Sequence, residues 1–242
     1  MCDSIFKVKR MVSMFLCAVI LLCANVCLFD AFAVSKEEIF APSAVLMEPV
    51  SGKVLFGKNP HEVRACASIT KVMTLTLVFE AIEDGKFGYD DMVTSSAHAA
   101  SMGGSDIWLE EGEVMTVDEL LRATVIGSAN DAATLLGEYV SGSEQAFIEL
   151  MNQRARELGM KNTNFVNATG LDDASDEHLT TSRDIALMSC ELLKYDFITE
   201  YTTVWMDSLR NGETELVNTN KLVRFFDGTT GLKTGTTAKA GC

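Results

Sequence analysis

Predicted strands near both ends of the chain enclose a helical middle, and this order constrains the fold more than any other feature. Residues 43–48 and 53–57 read as strands joined by a turn at 49–52. Residues 204–209 and 213–217 flank Asn211-Gly212, a strong hairpin signal, and 231–237 is a further candidate strand. We therefore expect an α/β fold of the α+β kind, with an antiparallel sheet built from distant segments and a helical subdomain.

The middle of the chain carries several helix signals. Apolar residues recur at three- and four-residue intervals over 67–83, which predicts a buried helix followed by Gly85 as a C-terminal cap. Thr116 and Glu119 form a capping box for a helix through Val125. The remaining predicted helices span 132–140, 143–159 and 181–193, and a long polar loop covers 161–179.

The first 33 residues have the pattern of a secretory signal peptide. Three basic residues precede an apolar run at 11–28, and Ala31-Phe32-Ala33 follows as a cleavage site. A retained membrane helix fits the length of the run about as well, but the Ala-Phe-Ala sequence favours export. We expect a signal segment over 1–33, a single domain over 34–242, and a site of action in the cell wall or periplasm, at the outer face of the cytoplasmic membrane.

Charge and side-chain composition exclude several functions. The formal net charge of −14 repels phosphate backbones, so nucleic acid is not an expected partner. The three histidines show no zinc-binding spacing, and we expect no metal and no cofactor. Downstream of residue 33 only Cys66, Cys190 and Cys242 remain, which is too few for a disulfide framework. Cys66 is expected to be a small buried residue, not a nucleophile.

Ser68 and Lys71 stand three residues apart at the start of the predicted buried helix, and this spacing puts both side chains on one helix face. A lysine amine beside an apolar helix is partly desolvated, which lowers its pKa and allows it to accept a proton from a hydroxyl. The helix N-terminus adds N–H groups where an oxyanion would develop. Alone, however, this pattern often arises by chance as an N-cap serine with an exposed lysine.

Two further motifs make the Ser68–Lys71 spacing informative. Ser128-Ala129-Asn130 lies at a break between two predicted helices, and Lys233-Thr234-Gly235 lies on the last predicted strand. In this order and spacing, the three motifs match serine acyltransferases that react with penicillin. The chain from about residue 40 to 242 resembles the D-alanyl-D-alanine carboxypeptidases. These are low-molecular-weight penicillin-binding proteins of the S11 serine peptidase type, with a serine β-lactamase/transpeptidase-like fold. The resemblance extends to the sequence around the motifs, including ASITKVMT, GSANDAA, NATGLDD and TGLKTGTT.

The resemblance implies a role for each motif residue. Ser68 would form the acyl-enzyme, Lys71 would take its proton, and Ser128 would relay a proton to the leaving amine. Asn130 would orient the substrate amide. Lys233 and Thr234 would hold the terminal carboxylate, and Gly235 would let the substrate backbone lie close to the strand. The backbone N–H groups of Ser68 and Thr236 would form the oxyanion hole. The implied substrate is a peptidoglycan stem peptide ending in D-Ala-D-Ala, and β-lactam antibiotics would act as inhibitors.

The chain also departs from the resembled pattern. In that fold two more antiparallel strands and a helix follow the Lys-Thr-Gly strand, whereas this sequence ends at Cys242. We therefore expect the C-terminal strands to be missing, and membrane association only through the signal segment or a missing C-terminal region. A β-lactamase of the same superfamily and an inactive truncated fragment remain alternatives. Acidic residues in the long loop keep the first of these open: Asp172, Asp173, Asp176 and Glu177.

Overall fold

The structure, a computed structural model, describes residues 7, 9–16, 35–172 and 176–241. The chain divides into two units, Met1–Phe40 and Ala41–Cys242. In the first unit, residues 7 and 9–16 are helical and Lys36–Glu38 forms a 3-10 turn. The predicted cleavage site and most of the predicted signal segment lie outside the described residues. Within the described residues, no helix combines the length and apolar character needed to cross a bilayer.

The second unit is organised around the predicted buried helix. A 3-10 turn, Ala67–Thr70, leads into helix α1, Lys71–Glu83. The sequence pattern predicts one apolar stripe, but Met73 and Leu77 are as buried as Val72 and Val78. Three later helices pack around α1, which is why most of its circumference is buried. The turn that leads into α1 is therefore attached to a helix at the centre of the core.

Seven further α-helices follow α1 in the described residues: α2 Ala97–Ala100, α3 Val117–Arg122, α4 Asn130–Ser141, α5 Glu144–Glu157, α6 Ser182–Leu192, α7 Ile198–Thr202 and α8 Leu222–Phe225. Four of them, α3 to α6, begin within two residues of the predicted starts, whereas α2, α7 and α8 were not predicted. The capping box forms at α3, where the Thr116 N–H donates to Glu119 Oε2 at 2.9 Å. Ser143 and Thr181 cap α5 and α6.

One helix ends differently from the prediction. The helix after Thr116 is expected through Val125, but α3 stops at Arg122 and a π-helical turn, Ala123–Gly127, follows. The turn ends at Ser128, which adopts left-handed backbone angles (φ 60°, ψ 28°). π-turns within helices are rare and often occur at functional sites. Here the turn separates α3 from α4 directly at the Ser-Ala-Asn motif.

Three antiparallel two-stranded sheets lie in the described part of the second unit. Strand β1, Ala44–Met47, pairs with β2, Val54–Lys58, and strand β5, Met206–Leu209, pairs with β6, Thr214–Val217. Both hairpins confirm the predictions from their turn sequences. The third sheet joins β3, Met92–Thr94, to β4, Val114–Thr116.

The described sheets are small, and none of them joins distant segments of the chain. Each joins strands that follow one another along the sequence, and Gly231–Thr236 forms no strand. A strand requires a neighbour to satisfy its backbone donors and acceptors, and no described residue forms a ladder with this segment. Instead its backbone lies against other elements: a Cβ added at Gly235 would come within 2.8 Å of the Cys66 carbonyl oxygen.

Candidate active site

The Ser68 turn brings the nucleophile candidate and the lysine together. The preceding residue, Ala67, has left-handed backbone angles (φ 50°), so the chain turns sharply into the helix. Lys71 Nζ lies 3.1 Å from Ser68 Oγ, as their three-residue spacing predicts. This distance is within reach for direct proton transfer between the hydroxyl and a neutral amine.

Lys71 is completely buried, and three oxygens surround its amine. Besides Ser68 Oγ, Nζ donates to Asn130 Oδ1 at 2.6 Å and to the Thr169 carbonyl at 3.1 Å. Burial holds the pKa of Lys71 well below its usual value of 10.5, and the positive charge of Lys233 lowers it further. Nearby carboxylates of Asp106 and Asp131 act in the opposite direction. The balance makes the neutral, proton-accepting amine accessible.

Ser128 and Lys233 form a second hydroxyl–amine pair. Lys233 Nζ donates to Ser128 Oγ at 2.8 Å and to the Thr234 carbonyl at 3.0 Å. Burial lowers the pKa of Lys233 to about 8. The left-handed backbone at Ser128, which follows the π-turn, presents its hydroxyl to this lysine. Two lysines thus each contact one serine hydroxyl.

Asn130 joins the buried lysine to a loop from a distant part of the chain. Its Oδ1 accepts from Lys71, while its Nδ2 donates to the Gly103 carbonyl at 2.6 Å. Its backbone N–H donates to the Ser105 carbonyl, also at 2.6 Å. The side chain is almost fully buried. Asn130 therefore fixes one wall of the site relative to Lys71.

A cavity of about 460 Å³ is lined by five of the eight predicted site residues, while Lys71, Asn130 and Lys233 lie outside its lining. Hydroxyl-bearing side chains and glycine line it: Ser68, Ser105, Ser128, Thr219, Thr234, Gly235 and Thr236. Thr234 Oγ1 donates to Thr219 Oγ1 at 2.7 Å. A second cavity of about 470 Å³ touches Ala67 and Gly170 but none of Ser68, Lys71 and Ser128. The chemistry is therefore concentrated in the first cavity.

Sequence reasoning gave no role to four residues that the structure brings to the site. Ser105 and Thr219 line the cavity, and the Thr169 carbonyl accepts from Lys71. Gly170 lies under the Ser68 turn, where an added Cβ would meet the Ala67 carbonyl oxygen at 1.8 Å. A glycine in a polar loop was the only available signal for this contact. The other three depend on long-range folding.

The remaining candidate side chains have structural contacts. His178 lies in the long loop, where its Nδ1 accepts from the Val166 N–H at 3.2 Å, so Nε2–H donates to Thr70 Oγ1 at 2.7 Å. Cys66 is buried as predicted, and burial raises its thiol pKa, opposite to what a nucleophile requires. Among the described residues, no cluster of three or more potential metal ligands occurs.

The sequence matches one protein family over most of its length. Residues 30–242 match peptidase S11, described as D-alanyl-D-alanine carboxypeptidase. The chain is 46% identical over 238 residues to D-alanyl-D-alanine carboxypeptidase DacF of Bacillus subtilis (strain 168), covering 96% of this chain and 61% of that relative. It is 36% identical over 223 residues to DacC of Escherichia coli (strain K12), covering 87% of this chain and 55% of that protein. The chain thus spans less than two thirds of either relative.

Solved structures agree with the sequence comparison. The D-alanyl-D-alanine carboxypeptidase DacD from Francisella tularensis superposes with a TM-score of 0.77 at 29% identity, covering 90% of this chain and 65% of that one. Penicillin-binding protein D2 from Listeria monocytogenes, solved in an ampicillin-bound form, gives a TM-score of 0.73 at 30% identity, covering 82% and 80%. These neighbours confirm the penicillin-binding, transpeptidase-like α/β fold. The chain belongs to the peptidase S11 family of D-alanyl-D-alanine carboxypeptidases.

Proposed function

We propose that this protein is a serine-type D-Ala-D-Ala carboxypeptidase that removes the terminal D-alanine from peptidoglycan stem peptides through an acyl-enzyme at Ser68. One observation supports this most strongly: the fully buried amine of Lys71 lies 3.1 Å from the Ser68 hydroxyl, which itself lines an open cavity. A buried amine with a lowered pKa beside a hydroxyl is the arrangement that activates a serine without histidine or metal.

The acylation step uses these two residues directly. The Ser68 hydroxyl proton moves to neutral Lys71 Nζ as Oγ attacks the carbonyl carbon of the penultimate D-alanine. The carbonyl oxygen becomes an oxyanion, for which we assign the backbone N–H groups of Ser68 and Thr236 as donors. When the C–N bond breaks, Ser128 passes a proton to the leaving D-alanine amine, and the proton that Lys71 took from Ser68 restores the Ser128 hydroxyl and the neutral Lys71 amine. Water then hydrolyses the ester and restores the Ser68 hydroxyl.

We assign substrate binding to the Lys-Thr-Gly segment and to Asn130. Below pH 8 Lys233 is largely protonated and, with Thr234, attracts the terminal carboxylate. Gly235 has no side chain, so the substrate backbone can approach the segment closely. Asn130 would orient the scissile amide, since its side chain already reaches Lys71. No step in this scheme requires a metal or an organic cofactor.

This function also determines where the protein works. Peptidoglycan lies outside the cytoplasm, which agrees with residues 1–33 as an export signal and 34–242 as the enzymatic domain. An uncleaved N-terminal segment would hold the domain at the membrane. β-Lactams would act as inhibitors by acylating Ser68, and the similarity to a penicillin-binding protein solved with ampicillin supports this.

The β-lactamase alternative has less support. Rapid hydrolysis of a β-lactam ester commonly requires a carboxylate that activates water next to the acylated serine. No Asp or Glu lines the cavity that contains Ser68 in the described part of the chain. Asp172 from the long loop instead accepts from the Lys239 N–H at 3.1 Å and lines the second cavity.

Two measurements on the 242-residue chain test the proposal. A fluorescent penicillin should label Ser68 and be released slowly, and a peptide ending in D-Ala-D-Ala should lose one D-alanine. Ser68→Ala should abolish both signals. Rapid penicillin turnover without D-alanine release would support the β-lactamase alternative. No reaction with either compound would support an inactive fragment.

A further inference from the structure

Trp108 has two features that are unfavourable for a tryptophan. Its side chain is 80% exposed, whereas Ile107 and Leu109 on either side are each 3% exposed. Its backbone is left-handed (φ 55°), a conformation that is strained for a residue with a side chain. Such strain persists only where the surrounding structure enforces it, and it is concentrated at functional sites.

The surrounding structure does enforce the conformation of Trp108. The buried Asp131 carboxylate accepts from the Ile107 N–H at 3.1 Å and from the Leu109 N–H at 3.0 Å. Arg210 Nη1 donates to the Ile107 carbonyl at 2.8 Å. The backbone is therefore held on both sides of Trp108 by residues from two other segments. The indole projects from a rigid support.

This support is continuous with the candidate active site. Ser105, three residues earlier, lines the Ser68 cavity. Its carbonyl accepts from the Asn130 N–H, and the Asn130 side chain contacts Lys71. Three residues span at most about 11 Å, so the backbone of Trp108 lies within that distance of Ser105 at the cavity lining.

We infer that Trp108 is a specificity-determining residue whose indole packs against a long aliphatic side chain on the residue that precedes D-Ala-D-Ala in the substrate. The inference rests on the proposed function. The scissile carbonyl must reach Ser68, so the preceding peptide residue leaves the cavity about 3–7 Å away from it. This separation fits the loop with Trp108 better than the more distant glycan part of peptidoglycan does. Binding energy from such a remote group can be used to accelerate the reaction.

The first test compares two substrates on one enzyme preparation. Diacetyl-L-Lys-D-Ala-D-Ala carries the aliphatic side chain, and acetyl-D-Ala-D-Ala lacks it. Trp108→Gly removes the indole and suits a left-handed backbone, so the protein should unfold at an equal or higher temperature. The ratio of the two kcat/KM values should fall about 10-fold. Trp108→Phe should retain most of the ratio, because it keeps an aromatic face.

The ratio does not depend on the fraction of folded enzyme, because both substrates report on the same preparation. Met92→Ala provides a matched control, since it removes another exposed apolar side chain (61% exposed) from strand β3. This variant should keep the parent ratio.

A second test observes the contact directly. The chain has two tryptophans, so Trp205→Phe leaves Trp108 as the sole indole fluorophore. With Ser68→Ala added to prevent turnover, diacetyl-L-Lys-D-Ala-D-Ala should change the Trp108 emission saturably, and acetyl-D-Ala-D-Ala should change it much less. An unchanged ratio in Trp108→Gly, with a parent that cleaves both peptides, would overturn the inference and leave the proposed function standing. A parent that cleaves neither peptide would overturn both.

Discussion

At the residue scale, the site depends on two lysines in different protonation states. Burial is the main cause of the lowered pKa of both Lys71 and Lys233. The positive charge of Lys233 also disfavours a proton on the more deeply buried Lys71. The proposed reaction therefore assigns the base to Lys71 and the cation to Lys233. The assignment leads to two predictions.

Replacement of Lys71 with arginine tests its role as a base. Lys71→Arg keeps a positive charge, but a guanidinium cannot be deprotonated at working pH. Penicillin acylation of Ser68 should therefore slow by about 10²–10⁴-fold, the usual contribution of general-base catalysis. Stopped-flow acylation kinetics would measure the change. An arginine variant that acylates nearly as fast as the parent would show that Lys71 provides only a fixed charge.

The pH dependence of catalysis tests the role of Lys233. Lys71 acts as the neutral amine, so kcat/KM should rise with pH through its lowered pKa. Lys233 acts as the cation, so kcat/KM for the D-Ala-D-Ala peptide should decline as pH rises through about 8. Lys233→Arg keeps its charge at higher pH and should remove this alkaline decline. A decline that persists in the arginine variant would assign the alkaline limb to another group.

At the element scale, the Ser68 turn is held in place by two glycine-containing segments. Gly170 in the long loop and Gly235 in the C-terminal segment both approach its backbone too closely for a side chain. The loop also supplies the Ala168 carbonyl, which accepts from Thr74 Oγ1 in α1 at 2.6 Å. The position of the nucleophile therefore depends on the close approach of three segments.

Gly170→Ala should disturb this arrangement. The new Cβ would lie 1.8 Å from the Ala67 carbonyl oxygen, so the turn that carries Ser68 must move. A displacement of about 1 Å at a reacting group can cost about 10²-fold in rate, and we expect a loss of this order in penicillin acylation. Gly159→Ala is the control, because Gly159 has a similar φ of 73° and no atom within 4 Å of an added Cβ.

The control variant should lose about 1 kcal/mol of stability from its left-handed backbone and keep the parent acylation rate. Equal acylation rates in both variants would show that the turn can shift without loss of function.

At the scale of the whole molecule, one arginine links three helices. Arg154 on α5 donates to Glu80 on α1 at 2.7 Å and to Glu191 on α6 at 2.8 Å. All three side chains are at most one quarter exposed, so solvent screens these pairs less than surface pairs. The network connects α1 to α5 and α6, and none of its three residues lines the Ser68 cavity.

Arg154→Met should lower the free energy of unfolding by about 2 kcal/mol, as expected for lost hydrogen bonds to charged groups. Urea denaturation would measure this loss, and the acylation rate per folded molecule should remain that of the parent. Lys86→Met removes an exposed pair with Asp84 and should cost about 1 kcal/mol or less. Equal losses in the two variants would show that the helix-linking network adds nothing beyond a surface pair.

Local signals explain the elements that could be predicted. The capping residues Thr116, Ser143 and Thr181 bond to groups three residues away, and the Asn211-Gly212 turn joins adjacent strands. The Ser68–Lys71 contact is local in the same sense. These interactions involve neighbours along the chain, so the sequence alone determines which residues can form them.

Only the tertiary structure decided the rest of the site. Thr169 lies 98 residues from Lys71, and Ser128 lies 105 residues from Lys233, yet each pair is in hydrogen-bond contact. The candidate strand at 231–237 forms no ladder with the described residues for the same reason, because strand formation depends on a partner that the segment's own sequence does not specify. The sequence by itself determined the chemical groups and their local spacing. Folding determined their burial, and burial sets the lysine pKa values on which the proposed reaction depends.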